Sequence, residues 1–213
     1  MDKVLQVIYP GIIAAEFLSN TNRVVQAIEL WKECLTFLNQ KENDLDRKVS
    51  MVLYKRLFLG YADIYKLSPA IESGKKLLVL LRKDKRKEEE GDTALMLAIL
   101  HSQRSEYKEA QEYVQKALTI NTEIGDKRGE AACYGTLGFV FESVRKYAEA
   151  EKYLQRALTI NTEIDDKHGE AVFSGTLGKV FHSVGEHAKA EEYLQKALPI
   201  NTEIGDKDRK SVV

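Results

Sequence analysis

The stretch Ala117–Ile124, ALTINTEI, recurs as ALTINTEI at Ala157–Ile164 and as ALPINTEI at Ala197–Ile204, 40 residues apart each time. Self-similarity at a period of this length marks a chain built by stacking one supersecondary unit, so it decides the architecture before local propensities are weighed. Working outward, Glu130–Val144 (EAACYGTLGFVFESV) returns 40 residues on as Glu170–Val184 (EAVFSGTLGKVFHSV).

Each unit carries two helical patterns. In the first, Tyr134, Leu137, Gly138 and Phe141 fall at the i, i+3, i+4, i+7 spacing of one helix face. That spacing centres the expected core face on Tyr134 and Phe141. A break follows at Arg145–Lys146, matched one unit later by Gly185–Glu186. The second pattern runs from Tyr147 to Ile164, with Ala150, Leu154, Ala157, Leu158 and Ile160 on one side, and the small Ala positions let two helices approach closely. The joints between units read Gly125–Asp126, Asp165–Asp166 and Gly205–Asp206. Glycine adopts the left-handed conformation that stops a helix, and Asp caps the next one; Asp165 does the first job at some cost.

Composition agrees with long helices. The chain has 213 residues, 44% hydrophobic and 31% charged, with 13 Gly and only 3 Pro. This is too apolar for disorder and too poor in turn residues for a loop-rich all-β protein. Lys and Arg number 32 against 33 Asp and Glu, a formal charge of −1. The global positive field of a nucleic-acid binder is absent, so no nucleic-acid partner is expected. Cys34 and Cys133 form neither a disulfide framework nor a zinc site. The apolar run Val4–Ala15 (VLQVIYPGIIAA) is broken by Pro10 and Gly11 and followed at once by Glu16, which favours a helix facing a core over a secretory leader. With no apolar run long enough to span a membrane and no Asn-x-Ser/Thr acceptor, the expected setting is reducing and cytoplasmic, away from membranes.

Tyr134-x2-Leu137-Gly138-x2-Phe141 followed by Ala150-x3-Leu154 and Ala157 resembles the tetratricopeptide repeat (TPR) signature. Ser174-x2-Leu177-Gly178-x2-Phe181 with Ala190, Leu194 and Ala197 is a second copy, and Ala94-x2-Leu97-Ala98-x2-His101 with Ala110, Val114 and Ala117 a third. Tyr54-x2-Leu57-Phe58-x2-Tyr61 with Ala70, Gly74 and Leu77 is a degenerate fourth, and a shift of 43 finds a fifth anchored on Ala27, Trp31 and Cys34. The resemblance implies an all-α, right-handed superhelical solenoid of antiparallel helix pairs filling residues 1–213. Its repeats would fall at 1–43 and 44–87, both degenerate, then 88–126, 127–166 and 167–206, with a polar tail at 207–213. Common TPR units hold about 34 residues. The longer unit here resembles those of kinesin light chain and of the G-protein-signalling modulator scaffolds, which carry similar EIGDK-GEA joints. The resemblance implies partner binding and no chemistry.

Enzyme signatures are missing, and the reading is a non-enzyme without cofactor or metal. His101, His168, His182 and His187 show no paired ligand spacing, and His182 and His187 meet only if a turn brings them together. No GxGxxG or P-loop pattern occurs, and the glycines at 135 and 138 fit helix packing. Cys34 and Cys133 read as packing residues, and Glu191 and Glu192 as a solvated face. The run Arg82–Lys87 followed by Glu88–Glu90 is read as cations closing one helix and anions opening the next, each favourable to the helix dipole, in preference to a nuclear-import or phosphate-binding patch.

In TPR proteins the face of the first helix opposite its core lines a concave groove. Here it carries Val52, Arg56, Leu59 and Asp63; Asp92, Met96, Ile99 and Gln103; Ala132, Thr136, Phe139 and Ser143; and Val172, Thr176, Lys179 and Ser183. The candidate partner-binding residues are Arg56, Leu59, Met96, Ile99, Gln103, Thr136, Phe139, Ser143, Thr176 and Lys179, with Leu59, Ile99 and Phe139 as apolar anchors and Arg56 and Lys179 orienting an acidic partner. The Lys/Asn/Lys/Arg clamp by which some TPR proteins hold chaperone tails is replaced by Leu59, Met96, Ala132 and Thr136. The expected function is an adaptor that binds a partner peptide or helix in that groove; the rival is a structural, oligomerising segment of a longer TPR array. The last second helix, about Glu186 to Ile204, keeps Tyr193, Leu194 and Leu198, which internal copies use to receive the next repeat. Only DKDRKSVV follows Gly205, so self-association through this uncapped repeat is expected.

Overall fold

The computed structural model is all-α. It describes the backbone of residues 3–38 and 44–211 and the side chains of residues 8–38 and 46–199. Ten helices lie among the described residues: α1 Lys3–Asn20, α2 Val24–Phe37, α3 Asp44–Asp63, α4 Leu67–Lys83, α5 Lys87–Gln103, α6 Tyr107–Ile124, α7 Lys127–Ser143, α8 Tyr147–Glu163, α9 Lys167–Ser183 and α10 His187–Ser211. They form two compact units, Met1–Ser105 with α1–α5 and Glu106–Val213 with α6–α10. In the first unit α1 pairs with α2 and α3 with α4, and neighbouring pairs are joined by α2 on α3 and α4 on α5; in the second, α7 pairs with α8 and α9 with α10, joined by α6 on α7 and α8 on α9. Short turns force each pair to run antiparallel.

The period is written into the turns. Positive φ occurs at Tyr65, Ser105, Arg145 and Gly185 within repeats and at Lys85, Gly125 and Asp165 between them, each series stepping by one repeat; Asn22 is the first repeat's counterpart. The residue after the left-handed one donates its N–H five residues back, as Lys146 to Phe141 O (2.9 Å), Glu186 to Phe181 O (2.9 Å) and Asp126 to Asn121 O (2.9 Å). This is the Schellman closure that satisfies the last helical carbonyls. Asp126 and Asp166 then cap α7 and α9 by accepting from the Gly129 and Gly169 N–H at 3.0 and 3.1 Å, while Lys127 and Lys167 bond Glu130 and Glu170 at 3.0 Å. The shared joint sequence is therefore one capping device. Asp165 has φ 55° where its sister Gly125 has 74°.

Small residues set the hairpin spacing. Ala27, Ala70, Ala110, Ala117, Ala150 and Ala157 are fully buried. A Cβ on Gly138 would lie 2.5 Å from Leu154 Cγ, so the glycine admits the leucine of its partner helix. The second repeat inverts this pair. Phe58 stands at the small position and Gly74 at the bulky one, and a Cβ on Gly74 would fall 2.7 Å from the Phe58 ring and 2.9 Å from Leu97. The ring fills the space its partner gives up, a volume-conserving exchange. In α4 and α5 the charge run lies as read: Arg82 and Lys83 in the last turn of one helix, Glu88–Glu90 in the first turn of the next, with Arg82–Glu90 and Arg86–Glu89 pairs at 2.5 Å.

Two expectations are corrected. The core face of α7 is not centred on Tyr134 and Phe141: Ala131, Cys133, Leu137 and Val140 are buried, whereas Tyr134 and Phe141 are half-buried and stack on Tyr153 at 6.4 and 5.3 Å. The helix is packed on more than one side, which a single-stripe reading cannot show. Second, α10 runs through Pro199 and Gly205 to Ser211, so the expected stop at Gly205 and the polar tail from 207 are helical as far as 211; the side chains past Pro199, including Ile204, lie outside the described residues. The helix expected over the N-terminal apolar run is α1, which buries Ile8 and Ala15 in a core and exposes Tyr9, Ile13 and Phe17 by 61–65%.

Candidate partner-binding surface

In the first unit the predicted residues lie on α3 and α5. Leu59 and Met96 come together in a cleft of about 120 Å³ that also takes in Lys55, Leu77, Glu89 and Thr93. Leu59 and Met96 are half-buried, Ile99 is 41% exposed and Gln103 is exposed, the last two outside the cleft. Lys55 pairs with Glu89 across the cleft at 3.5 Å. Arg56 is exposed, but its Nε is 2.6 Å from Glu16 of α1. Arg56 therefore pairs within the chain through one nitrogen while its side chain stays 45% exposed.

In the second unit α7 and α9 carry the equivalent residues. Thr136 and Phe139 meet in a depression of about 290 Å³ with Ala132, Val172 and Phe173 as its apolar lining. Phe139 is 38% exposed, a large ring that the fold leaves half wet. Arg128 and Asp166 pair at 3.1 Å on the rim. Thr136 and Thr176 are buried, and each hydroxyl donates to the carbonyl four residues back, Ala132 and Val172, at 2.8 Å. They offer shape to a ligand and no spare donor. Ser143 similarly donates to Phe139 O at 2.8 Å. Lys179 is exposed; it, Ser143 and Thr176 lie outside the depression.

His182 and His187 do meet across the turn, ring centroids 5.2 Å apart and edge to face. No group of three or more His, Cys, Asp or Glu able to hold a metal occurs among the described residues. Cys34 and Cys133 are buried and unbridged; burial pushes the Cys34 thiol pKa up, away from a reactive thiolate. No described helix is long and apolar enough to cross a membrane. The exposed Tyr9, Ile13 and Phe17 were missed as a surface, although their i, i+4, i+8 spacing was visible beside the buried Ile8 and Ala15.

The tetratricopeptide repeat family model matches residues 89–163 and 140–203, and the chain belongs to that family. No curated protein matches it by sequence. Among solved structures, the nearly identical TPR-like repeats of a kinesin light chain from Podosopora anserina are 15% identical with a TM-score of 0.75, covering 97% of this chain and 99% of that one. RapI in its apo form is 17% identical with a TM-score of 0.83, over 95% of this chain and 73% of that one. The Rap conjugation gene regulator of plasmid pLS20, solved with the Phr* peptide, is 18% identical with a TM-score of 0.70, over 97% of this chain and 56% of that one. These likenesses establish the TPR fold.

Proposed function

We propose that this chain is a cytoplasmic, non-enzymatic adaptor that binds a peptide or helix of a partner protein along the inner face of its first helices. The observation that carries the reading is Phe139, a ring more than a third exposed above an apolar depression, at a position where the next repeat has Lys179. The fold tolerates a cation there, so packing alone does not call for an aromatic. Half-wet aromatic side chains on a rigid wall are the anchors from which peptide grooves draw affinity, and stacked helices hold the wall without loss of freedom on binding. Leu59, Met96 and Ile99 offer a second apolar site in the first unit. Arg56, exposed although paired with Glu16, and Lys179 are the cations that would orient an acidic partner. The Phr* complex of the Rap regulator supports a peptide ligand by analogy of fold.

A displayed random-peptide library panned on the protein tests this. The wild type should enrich peptides with apolar anchors, and Phe139→Lys should lose them while its melting temperature stays within a few degrees of wild type. A large fall in melting temperature, or unchanged enrichment, would remove the groove's main anchor. A second reading, an assembly element, is favoured by the exposure of Leu194 and Leu198 at the end of the second unit.

A further inference from the structure

Repeat-on-repeat stacking inside the second unit defines what a covered hairpin looks like. The α7/α8 hairpin receives α9, whose Phe173 ring occupies the place a Cβ on Gly135 would take. Phe173, Leu177 and Val180 share one core with Ala150, Leu154 and Ala157, and Leu154 is fully buried. One register later the same receiving surface belongs to α9/α10, and no described helix lies on it. A Cβ on Gly175 would meet nothing within 4 Å. Leu194, the counterpart of Leu154, is 46% exposed and Leu198 is 67% exposed. A depression of about 530 Å³ opens between Gly175, Ala190, Leu194, Ala197 and Leu198, with His182, His187, Glu191 and Gln195 on its polar side.

The other half of such an interface stands on α1. The α9 residues that enter the preceding hairpin, Phe173, Thr176, Leu177 and Val180, correspond in register to Pro10, Ile13, Ala14 and Phe17. All four are buried in α9 and all four are exposed in α1. The direction in which position 17 points is fixed by its counterpart in α3: a Cβ on Gly60 would meet Trp31 at 3.1 Å and Ile28 at 3.2 Å, both on the preceding second helix. Trp31 in turn corresponds to Leu194.

We propose that copies of this chain associate head to tail, with α1 of one copy seated on the α9/α10 hairpin of the next. Phe17 then meets Leu194 as Gly60 meets Trp31, and Pro10 covers the open slot at Gly175. The contact continues the stacking that already joins repeats within each unit. Because the two faces differ, it is heterologous, and each copy added leaves another pair of free faces. A formal charge of −1 opposes the growth very little. The groove described above uses other positions, so this contact and peptide binding stand or fall separately.

Sedimentation analysis of the full chain from low to high micromolar concentration tests the contact. The wild type should show an average mass climbing past twice the monomer without a plateau. Phe17→Glu and Leu198→Glu should each weaken association by at least about tenfold and stay monomeric, with circular dichroism unchanged because both side chains are at least 65% exposed. An equimolar mixture of the two variants retains one intact face of each kind, so it should form a dimer and stop. A wild type that stays monomeric, a variant that still assembles alone, or a mixture that stays monomeric would each overturn the proposal.

Discussion

The same substitution at two glycines one repeat apart separates packing from propensity. Gly135 and Gly175 occupy equivalent mid-helix positions of α7 and α9. Replacing a helical Gly by Ala gains about 1 kcal/mol of propensity at either site. At Gly175 the new methyl meets nothing within 4 Å, so that gain is realised in full. At Gly135 the methyl would enter the Phe173 ring, and overpacking a filled core costs about 1–3 kcal/mol. Gly175→Ala should therefore raise stability by about 1 kcal/mol, while Gly135→Ala leaves it unchanged or lowers it by up to about 2 kcal/mol. Urea denaturation at a protein concentration low enough to keep the chain monomeric measures both. Adding Phe173→Leu to Gly135→Ala should recover part of the loss. If Gly135→Ala stabilised as much as Gly175→Ala, the repeat-on-repeat contact through Phe173 would be refuted.

Two further outcomes follow from the packing. Phe58→Ala should cost about 3–5 kcal/mol as a cavity, and Gly74→Leu alone should be destabilising through its clash with the ring. The double variant restores the usual small-and-bulky order, so denaturation of all four proteins should show the two changes strongly coupled; additive losses would mean the sites do not share one space. Asp165→Gly should raise stability by up to about 1 kcal/mol, because the non-glycine residue in the left-handed turn is strained by about 1–2 kcal/mol and glycine gives back part of the difference in chain entropy. The melting temperature checks this, and a decrease would show that the exposed Lys167–Asp165 pair outweighs the strain.

Much of the architecture was legible because the repeat writes the same physical problem several times. Positions that must be small, such as Ala150 and Ala157, or must turn left-handed, such as Gly125 and Gly185, recur at one spacing and identify themselves. Where a repeat solves the problem differently, the spacing stays and the residue changes. Tyr65, Lys85, Ser105 and Arg145 take the left-handed turn without being glycine, since closure by the residue that follows offsets a modest backbone cost. Phe58 and Gly74 made the second repeat look degenerate, yet they trade bulk across one contact. A motif reads each position alone, whereas the core requires only that the pair fill its space. The stop expected at Gly205 fails for a related reason: glycine permits a left-handed turn but does not impose one.

The candidate surface was less legible, because exposure depends on what a helix packs against and not on its own period alone. On the inner-face pattern Phe139 and Ile99 are partly exposed, whereas Thr136 and Thr176 at equivalent inner-face positions are buried. No sequence spacing reveals that Arg56 also pairs with Glu16 on another helix. The run Val4–Ala15 reads as a helix facing a core, which says nothing of its other side, where the stripe of Tyr9, Ile13 and Phe17 is exposed. Side chains in the same register are buried in α9, which packs on the α7/α8 hairpin, and exposed in α1. On that argument the stripe is the counterpart of the Phe173 face, lacking only a surface such as Gly175 and Leu194 to lie on.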